Sequence, residues 1–369
     1  MPQNFPSDTP LRVLHVTSSL GLGGTSKTMQ LFVTHLDRQL FKPLVWAPQA
    51  GPRGDLLRGQ GIPVITGIPL GDAARRVNPD IVHVHRAGWA EPELLRPLRA
   101  AFRPDPYGRV PRLPVIVETN VFGRHDPSPS GRMIDVTLFV SHFCAERLRQ
   151  AEGRTIEPPR FQVLYNPVDT DTLAALSPDP AVREYCRPVF GRISRPDPGK
   201  WSPLALASLP LVRKAVPDFS FLIVGGTPEA KAFVREHDLE AHVHFLPPLL
   251  TDAELAGFFG KLSFLTHANT TGESFGLVIA EAMAAGLPVI THNSPHWKDN
   301  AQVELVLDGR TGLVADTPET YAAAVITLLR DPELCRTMGA TGQARAQQLF
   351  RAQDIARKLE SAYSRALGS

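Results

Sequence analysis

Cysteine is scarce in this chain: three in 369 residues, Cys144, Cys186 and Cys335, far apart and in no C-x-x-C pattern. That argues against both a disulfide framework and a thiolate metal centre, and it fits a reducing compartment. No apolar run approaches the roughly 18 residues that read as a membrane-spanning helix. The opening MPQNFPSDTP has neither a basic nor an apolar stretch, so it does not read as a signal peptide, and the chain reads as cytoplasmic. Charge of one sign is also lacking. Lys and Arg number 39 against 37 Asp and Glu, a net +2, too little to make nucleic acid a default partner.

The small sum hides an asymmetry. Residues 1–170 hold 20 Lys+Arg against 15 Asp+Glu, or +5, and residues 171–369 hold 19 against 22, or −3. The densest basic cluster, Arg96, Arg99, Arg103, Arg109 and Arg112, reads as a solvated face. Its alternative reading is a weak peripheral contact with an anionic acceptor or the inner face of the cell membrane. Hydrophobic content of 43% and charged content of 21% describe an ordinary folded chain, and 369 residues predict two domains.

Taken in order, Leu11 to Thr17 is a β-branched apolar run followed by a glycine turn and a helical pattern over Ser26 to Leu40. Further strands are predicted at Lys42–Trp46, Pro63–Thr66, Asp80–His85, Pro114–Thr119 and Val136–Val140, with helical stretches between several of them. The Pro- and Gly-rich segments Arg103–Pro114 and Phe122–Gly131 are candidate acceptor loops. A second series follows at Val189–Ile193, Phe219–Val224, His242–Phe245, Leu262–Thr266 and Val289–Thr291, and the chain is helical from Thr317 on. Strands alternating with helices predict α/β domains with doubly wound parallel sheets. The predicted division is 1–175, 176–350 and a C-terminal helix in 351–369.

The densest chemistry lies in Thr271 to Ile290, TGESFGLVIAEAMAAGLPVI. Glu273 stands in a loop. Ser274, Phe275 and Gly276 precede an apolar helical run from Leu277 that Gly286 and Pro288 should end. The first-turn amides of Phe275, Gly276 and Leu277 and the positive end of the helix dipole suit a phosphate. Glu281, eight residues past Glu273, lies about 12 Å from it if the spacing is helical. A nucleoside diphosphate sugar has that reach, with hexose, diphosphate and ribose meeting loop, helix start and second carboxylate in turn.

This segment resembles the signature of retaining GT-B glycosyltransferases of family 4 type, E-S/G-F-G-x4-E-A-M-A-x-G-x-P-V. The resemblance extends more weakly over most of the chain. It implies two Rossmann-like domains facing across a cleft, the second holding a nucleotide-sugar donor and the first a glycan or glycolipid acceptor, with no metal or other cofactor. The implied reaction is transfer with retention. The departing diphosphate would take the acceptor proton, with Glu273 orienting the sugar; a covalent Glu273 intermediate is the alternative, since a double displacement also retains. The expected setting is cell-surface polysaccharide or glycoconjugate synthesis. A sugar-nucleotide epimerase and a non-catalytic subunit share the two-domain plan and stay open.

Other positions follow from the same resemblance. Gly23, Gly24 and Thr25 look like the family's G-G-T/A loop. The dinucleotide alternative is weakened because Ser26 stands where a third glycine would, and because no Asp or Glu ends the next strand. Gly191 to Trp201, GRISRPDPGKW, is similar to the G-R-x(n)-K-G pattern, and Lys200 with Arg192 or Arg195 would neutralise a leaving diphosphate. Trp201 stands where glycine is usual. Gly225 falls where the family lines its base pocket.

His83 and His85 alternate on one strand and therefore share a face. Metal ligation, a structural role and sugar contact compete, and the resemblance points to His85 for the last. Glu118, Asn120 and Arg124 are acceptor-side candidates. Asp169-Thr170-Asp171, a D-x-D, reads as structural.

Overall fold

The computed structural model describes residues 9–103, 112–295 and 298–368. Most of the Arg103–Pro114 candidate loop, Arg109 included, lies outside the described residues. The chain divides into two units, one of residues 1–167 with 352–369, the other of residues 168–351. The division thus falls before residue 175. The second unit opens with the helix Thr170–Leu176, whose N-cap Asp169 accepts from the Thr172 amide at 3.1 Å. Asp171 pairs with Arg351 at 2.8 Å within the same unit, so both carboxylates of the D-x-D serve structure.

The first unit is a seven-stranded parallel sheet ordered β3-β2-β1-β4-β5-β6-β7. Its strands are β1 (Leu11–Thr17), β2 (Phe41–Trp46), β3 (Val64–Ile65), β4 (Ile81–Arg86), β5 (Val115–Asn120), β6 (Val136–Phe139) and β7 (Phe161–Val163). Every residue of β4 is buried, as expected of a central parallel strand covered on both faces. The pleat sorts side chains accordingly. Leu14, Val16, Val82 and Val84 meet the helices Leu70–Val77 and Pro92–Ala101 on one face. Val13, Ile81 and Val117 meet Phe32 of the helix Gly24–His35 and Ile355, Leu359 and Tyr363 of the C-terminal helix Ala352–Gly368 on the other.

The second unit is a six-stranded parallel sheet ordered β10-β9-β8-β11-β12-β13. Here β8 is Val189–Ile193, β9 Ser220–Val224, β10 Val243–Leu246, β11 Phe264–Thr266, β12 Val289–Thr291 and β13 Gly312–Val314. Phe190, Phe221 and Phe264 stack across β8, β9 and β11, with centroids 4.6 and 5.2 Å apart, and anchor its core. β13 has no sequence signal of its own. It is three residues long and starts at Gly312, where a Cβ would stand 1.9 Å from the Val289 carbonyl, so only glycine lets the strands approach. The first helix stops at His35, five residues short of the predicted Leu40, because Leu36 turns extended (φ −62°, ψ 139°).

Both sheets reverse strand order once, beside β1 and β4 in the first unit and beside β8 and β11 in the second. Ligands of doubly wound sheets bind outside the strands' carboxyl ends at such a point. Tyr363 tests the packing of the C-terminal helix, since its hydroxyl meets buried His83 Nδ1 at 2.7 Å. Tyr363→Phe should strip that nitrogen of its partner and lower stability by about 1–3 kcal/mol in urea denaturation; an unchanged midpoint would contradict the contact.

Candidate active site

At the second unit's switch point, β11 ends in Thr266 and the chain turns through His267, Ala268 and Asn269 to Glu273. Three donors converge on Glu273 Oε1: Lys200 Nζ at 2.8 Å, His267 Nε2 at 3.1 Å and Asn269 Nδ2 at 2.7 Å. Lys200 Nζ also reaches Oε2 at 3.0 Å. Gln302 Oε1 accepts the Glu273 amide at 3.0 Å. Burial by itself would push the carboxyl pKa up; the hydrogen bond and charge of His267, with Lys200, outweigh it and hold the group at about 2. Burial lowers the pKa of His267, against the raising pull of the Glu273 hydrogen bond and charge.

Lys200 is set by Arg192, which lies buried on β8. Arg192 Nη1 donates to the Ala268 carbonyl at 2.5 Å, Nη2 donates to the Lys200 carbonyl, and the guanidinium lies 4.3 Å over the Trp201 ring. Burial lowers the Arg192 pKa to about 10, which still leaves it cationic at pH 7. Its Nη groups are turned to backbone carbonyls, so Arg192 stations the Lys200 loop against the β11 loop. Arg195, the alternative to Arg192, is exposed. Trp201 explains the departure from glycine: it is buried, and its indole Nε1 donates to the Gly225 carbonyl at 3.1 Å. Gly225 itself has φ +81°, and a Cβ there would stand 1.7 Å from the Ser194 carbonyl, so no other residue fits.

The helix Leu277–Ala284 follows directly. Its N-cap is Gly276 at φ 98°, a glycine with no side chain of its own to cap the first turn. Phe275 is buried edge-on against Phe350 at 5.3 Å, so its ring is spent on packing. Glu281 is buried one turn in. Glu273 lies outside the helix, so the 12 Å helical estimate for Glu273 to Glu281 is corrected: only Leu277 to Glu281 is helical, about 6 Å at 1.5 Å per residue.

The first unit's switch point carries His85 at the end of β4. The β1–β4 register sets His15 beside His83. His15 Nδ1 and His85 Nε2 bond at 3.1 Å, and His83 spends Nε2 on Thr119 Oγ1 at 2.8 Å and Nδ1 on Tyr363. Burial lowers all three pKa values, that of His85 to about 3, so the cluster is neutral at pH 7. His15, His83 and His85 are the candidate metal group among the described residues. Sequence spacing alone places no third histidine; β-sheet pairing supplies His15. Both nitrogens of His83 are already engaged, so the three rings do not offer three converging lone pairs to a cation.

Gly23 caps the helix that starts at Gly24 without a side-chain bond, and Ser26 ties that helix to the preceding loop through the Ser19 carbonyl at 2.8 Å. Ser19 and Gly21 of the same loop line a cavity of about 390 Å³ with Gln49 and Gly51. Glu118, Asn120 and Arg124 are brought together. Glu118 Oε2 pairs with Arg86 Nε at 2.8 Å and its Oε1 accepts from Thr137 Oγ1 at 2.8 Å, while Asn120 Nδ2 donates to the Arg124 carbonyl at 2.8 Å. Burial raises the Glu118 pKa against the pull of Arg86. His267, Asn269 and Gln302 are the residues that sequence reasoning missed. The first two carry a signal in hindsight, as polar residues just past the carboxyl end of an apolar strand.

Two doubly wound units with a charged site at a switch point define the GT-B class. The family model described as Glycosyl transferases group 1 matches residues 187–331, a stretch that contains Arg192, Lys200, Glu273 and Glu281. The chain is 32% identical over 231 residues to a GDP-mannose-dependent alpha-(1-6)-phosphatidylinositol monomannoside mannosyltransferase of Mycolicibacterium smegmatis, covering 58% of each chain. It is 33% identical to the protein of the same description from Mycobacterium tuberculosis, over 61% of this chain and 60% of that one. The match therefore spans about three fifths of the length of these curated relatives. Among solved structures, Anabaena HepE in complex with UDP and glucose superposes at TM-score 0.74 with 21% identity, over 96% of this chain and 99% of that one. A glycosyltransferase from Rickettsia africae gives 0.75 with 17% identity, over 97% and 99%.

Glu273 has a depressed folded-state pKa, so its contribution to stability is complete above its ordinary 4.5 and fades as pH falls toward about 2. The stability gap between wild type and Glu273→Gln should be flat above pH 5 and shrink as pH falls below 4.5, by up to about 3 kcal/mol from the shift itself, in urea denaturation. A gap unchanged to pH 3 would contradict the charge network.

Proposed function

We propose that this protein is a glycosyltransferase that moves a hexose from a nucleoside diphosphate sugar to a hydroxyl of a glycan or glycolipid acceptor. The observation that carries the reading is Glu273, a carboxylate charged at pH 7 beside Lys200 at the switch point and just before the helix that starts at Leu277. In the proposed course Lys200 and the first-turn amides at Leu277 receive the diphosphate, with Arg192 adding positive field from behind. Glu281 takes the ribose hydroxyls. Relatives described as GDP-mannose-dependent favour GDP-mannose as the donor and an inositol-bearing glycolipid as the acceptor.

The chemistry we propose retains the anomeric configuration and needs no metal. Glu273 Oε1 already accepts three hydrogen bonds and its pKa is near 2, which makes it a weak nucleophile and a weak base. That favours Glu273 as the group that orients sugar hydroxyls, and the departing β-phosphate oxygen as the acceptor of the incoming hydroxyl's proton. The C1–O bond to diphosphate breaks on the face where the new C1–O bond forms. Within the first unit, neutral His85 would offer a hydrogen bond to a sugar hydroxyl without changing charge.

A thermal-shift panel of GDP, UDP, ADP and CMP, with and without magnesium, tests the donor site. GDP should raise the melting temperature most and without magnesium; at 100 times Kd the stabilisation is about 2.7 kcal/mol. Glu281→Ala should abolish the shift. No binding, or binding only with magnesium, would contradict the proposal.

A further inference from the structure

Trp89 is large, apolar and 48% exposed, yet the surrounding chain is built to hold it still. It follows β4, and its indole lies nearly parallel to the Phe122 ring beyond β5, at 7° with centroids 5.2 Å apart. The two loops are zipped together past the strand ends, Val121 N donating to the Arg86 carbonyl at 3.0 Å and Phe122 N to the Ala87 carbonyl at 3.1 Å. Arg86 Nη2 donates to the Gly88 carbonyl at 3.1 Å. Gly88 has φ +106°, and a Cβ there would strike Asn120 Oδ1 at 2.2 Å. On the other side Gly123 has φ +60°, a Cβ there would stand 2.1 Å from the Cys144 carbonyl, and Arg147 Nη1 donates to the Phe122 carbonyl at 2.9 Å. Two positions where only glycine fits therefore bracket one aromatic stack.

A free loop would fold an indole inward, because its apolar faces favour burial over water. Here one face is spent on Phe122 and the other is presented at the carboxyl end of the parallel sheet, next to the switch point where this class of sheet takes its ligands. The aromatic face is electronegative and complements C–H bonds carrying partial positive charge, which line one face of a pyranose or cyclitol ring. Hydrogen-bond acceptors stand close by. The Glu91 side chain is 16% exposed, its Oε2 takes the Ala87 amide at 3.0 Å and lies 3.9 Å from Arg86 Nε, and Asp126 pairs with the same guanidinium at 3.1 Å. Three carboxylates, Glu91, Glu118 and Asp126, surround this one buried arginine. Carboxylate oxygens of this cluster can accept hydroxyl hydrogens.

We infer that the Trp89–Phe122 stack is a binding platform for a polyhydroxylated six-membered ring, and that Trp89 sets acceptor preference by stacking on it. Only the word acceptor rests on the proposed glycosyltransferase reading; the ring site stands on the first unit's own geometry.

The test uses the full chain with saturating GDP, and methyl α-mannopyranoside and myo-inositol as separate probes, read by saturation-transfer NMR and calorimetry. Trp89→Ala should weaken ring binding at least ~10-fold, Trp89→Phe should keep it within ~3-fold, and both should leave GDP affinity within ~2-fold. Being half exposed, Trp89 can be truncated without opening the core. Equal ring binding by Trp89→Ala would overturn the inference, as would failure of both ring probes on wild type. Trp89-dependent binding to phosphatidylglycerol vesicles without ring binding would overturn it in favour of a lipid surface. If GDP fails to bind while ring binding still depends on Trp89, the donor reading falls and the platform stands.

Discussion

A charged carboxylate withdrawn from water is the constraint on which the second unit depends. Glu273 is ionised in a site where burial alone would neutralise it, and it stays so because Lys200, His267 and Asn269 are aimed at one oxygen. Leaving any of these partners out would expose a buried charge to its full desolvation penalty, several kcal/mol for an ion. The framework around it follows. Arg192 is locked by Ala268, the Lys200 carbonyl and the Trp201 ring because Lys200 must be held in one place. Gly225 is glycine because its φ is +81° and the Ser194 carbonyl closes on it, and its own carbonyl anchors the Trp201 indole.

The first unit solves a different problem with the same topology. Its switch point is neutral, built from three histidines that burial keeps uncharged, and ringed further out by the Arg86 carboxylate cluster and the Trp89–Phe122 stack. One unit thus concentrates fixed charge suited to a diphosphate, while the other offers neutral hydrogen bonding and an aromatic face suited to a ring.

Much of this was legible in the sequence because it is local. The parallel sheets follow from β-branched runs alternating with helical ones, and the start of the helix at Leu277 from the glycine and apolar run around it. Glu273 and Lys200 were legible as candidates through their motifs, though not as a pair, since 73 residues separate them. What stayed hidden depends on strand pairing. His15 joins His85 only through the β1–β4 register, and His267 and Asn269 gain meaning only once β11 is seen to end beside β8. Strand β13 is invisible because a three-residue strand starting with glycine carries no pattern. The helical spacing assumed between Glu273 and Glu281 failed because the positive φ of Gly276 puts a bend where a continuous helix was imagined.

In the proposed reaction Glu273 reads the sugar while Lys200 reads the diphosphate. Calorimetry of Glu273→Gln with GDP and with GDP-mannose separates the two most directly. Removing the carboxylate should leave GDP affinity equal or tighter, since Lys200 is released and a like charge is gone, and should weaken GDP-mannose about 10-fold or more. A parallel loss for both ligands, or no loss for either, would contradict the assignment of Glu273 to the sugar.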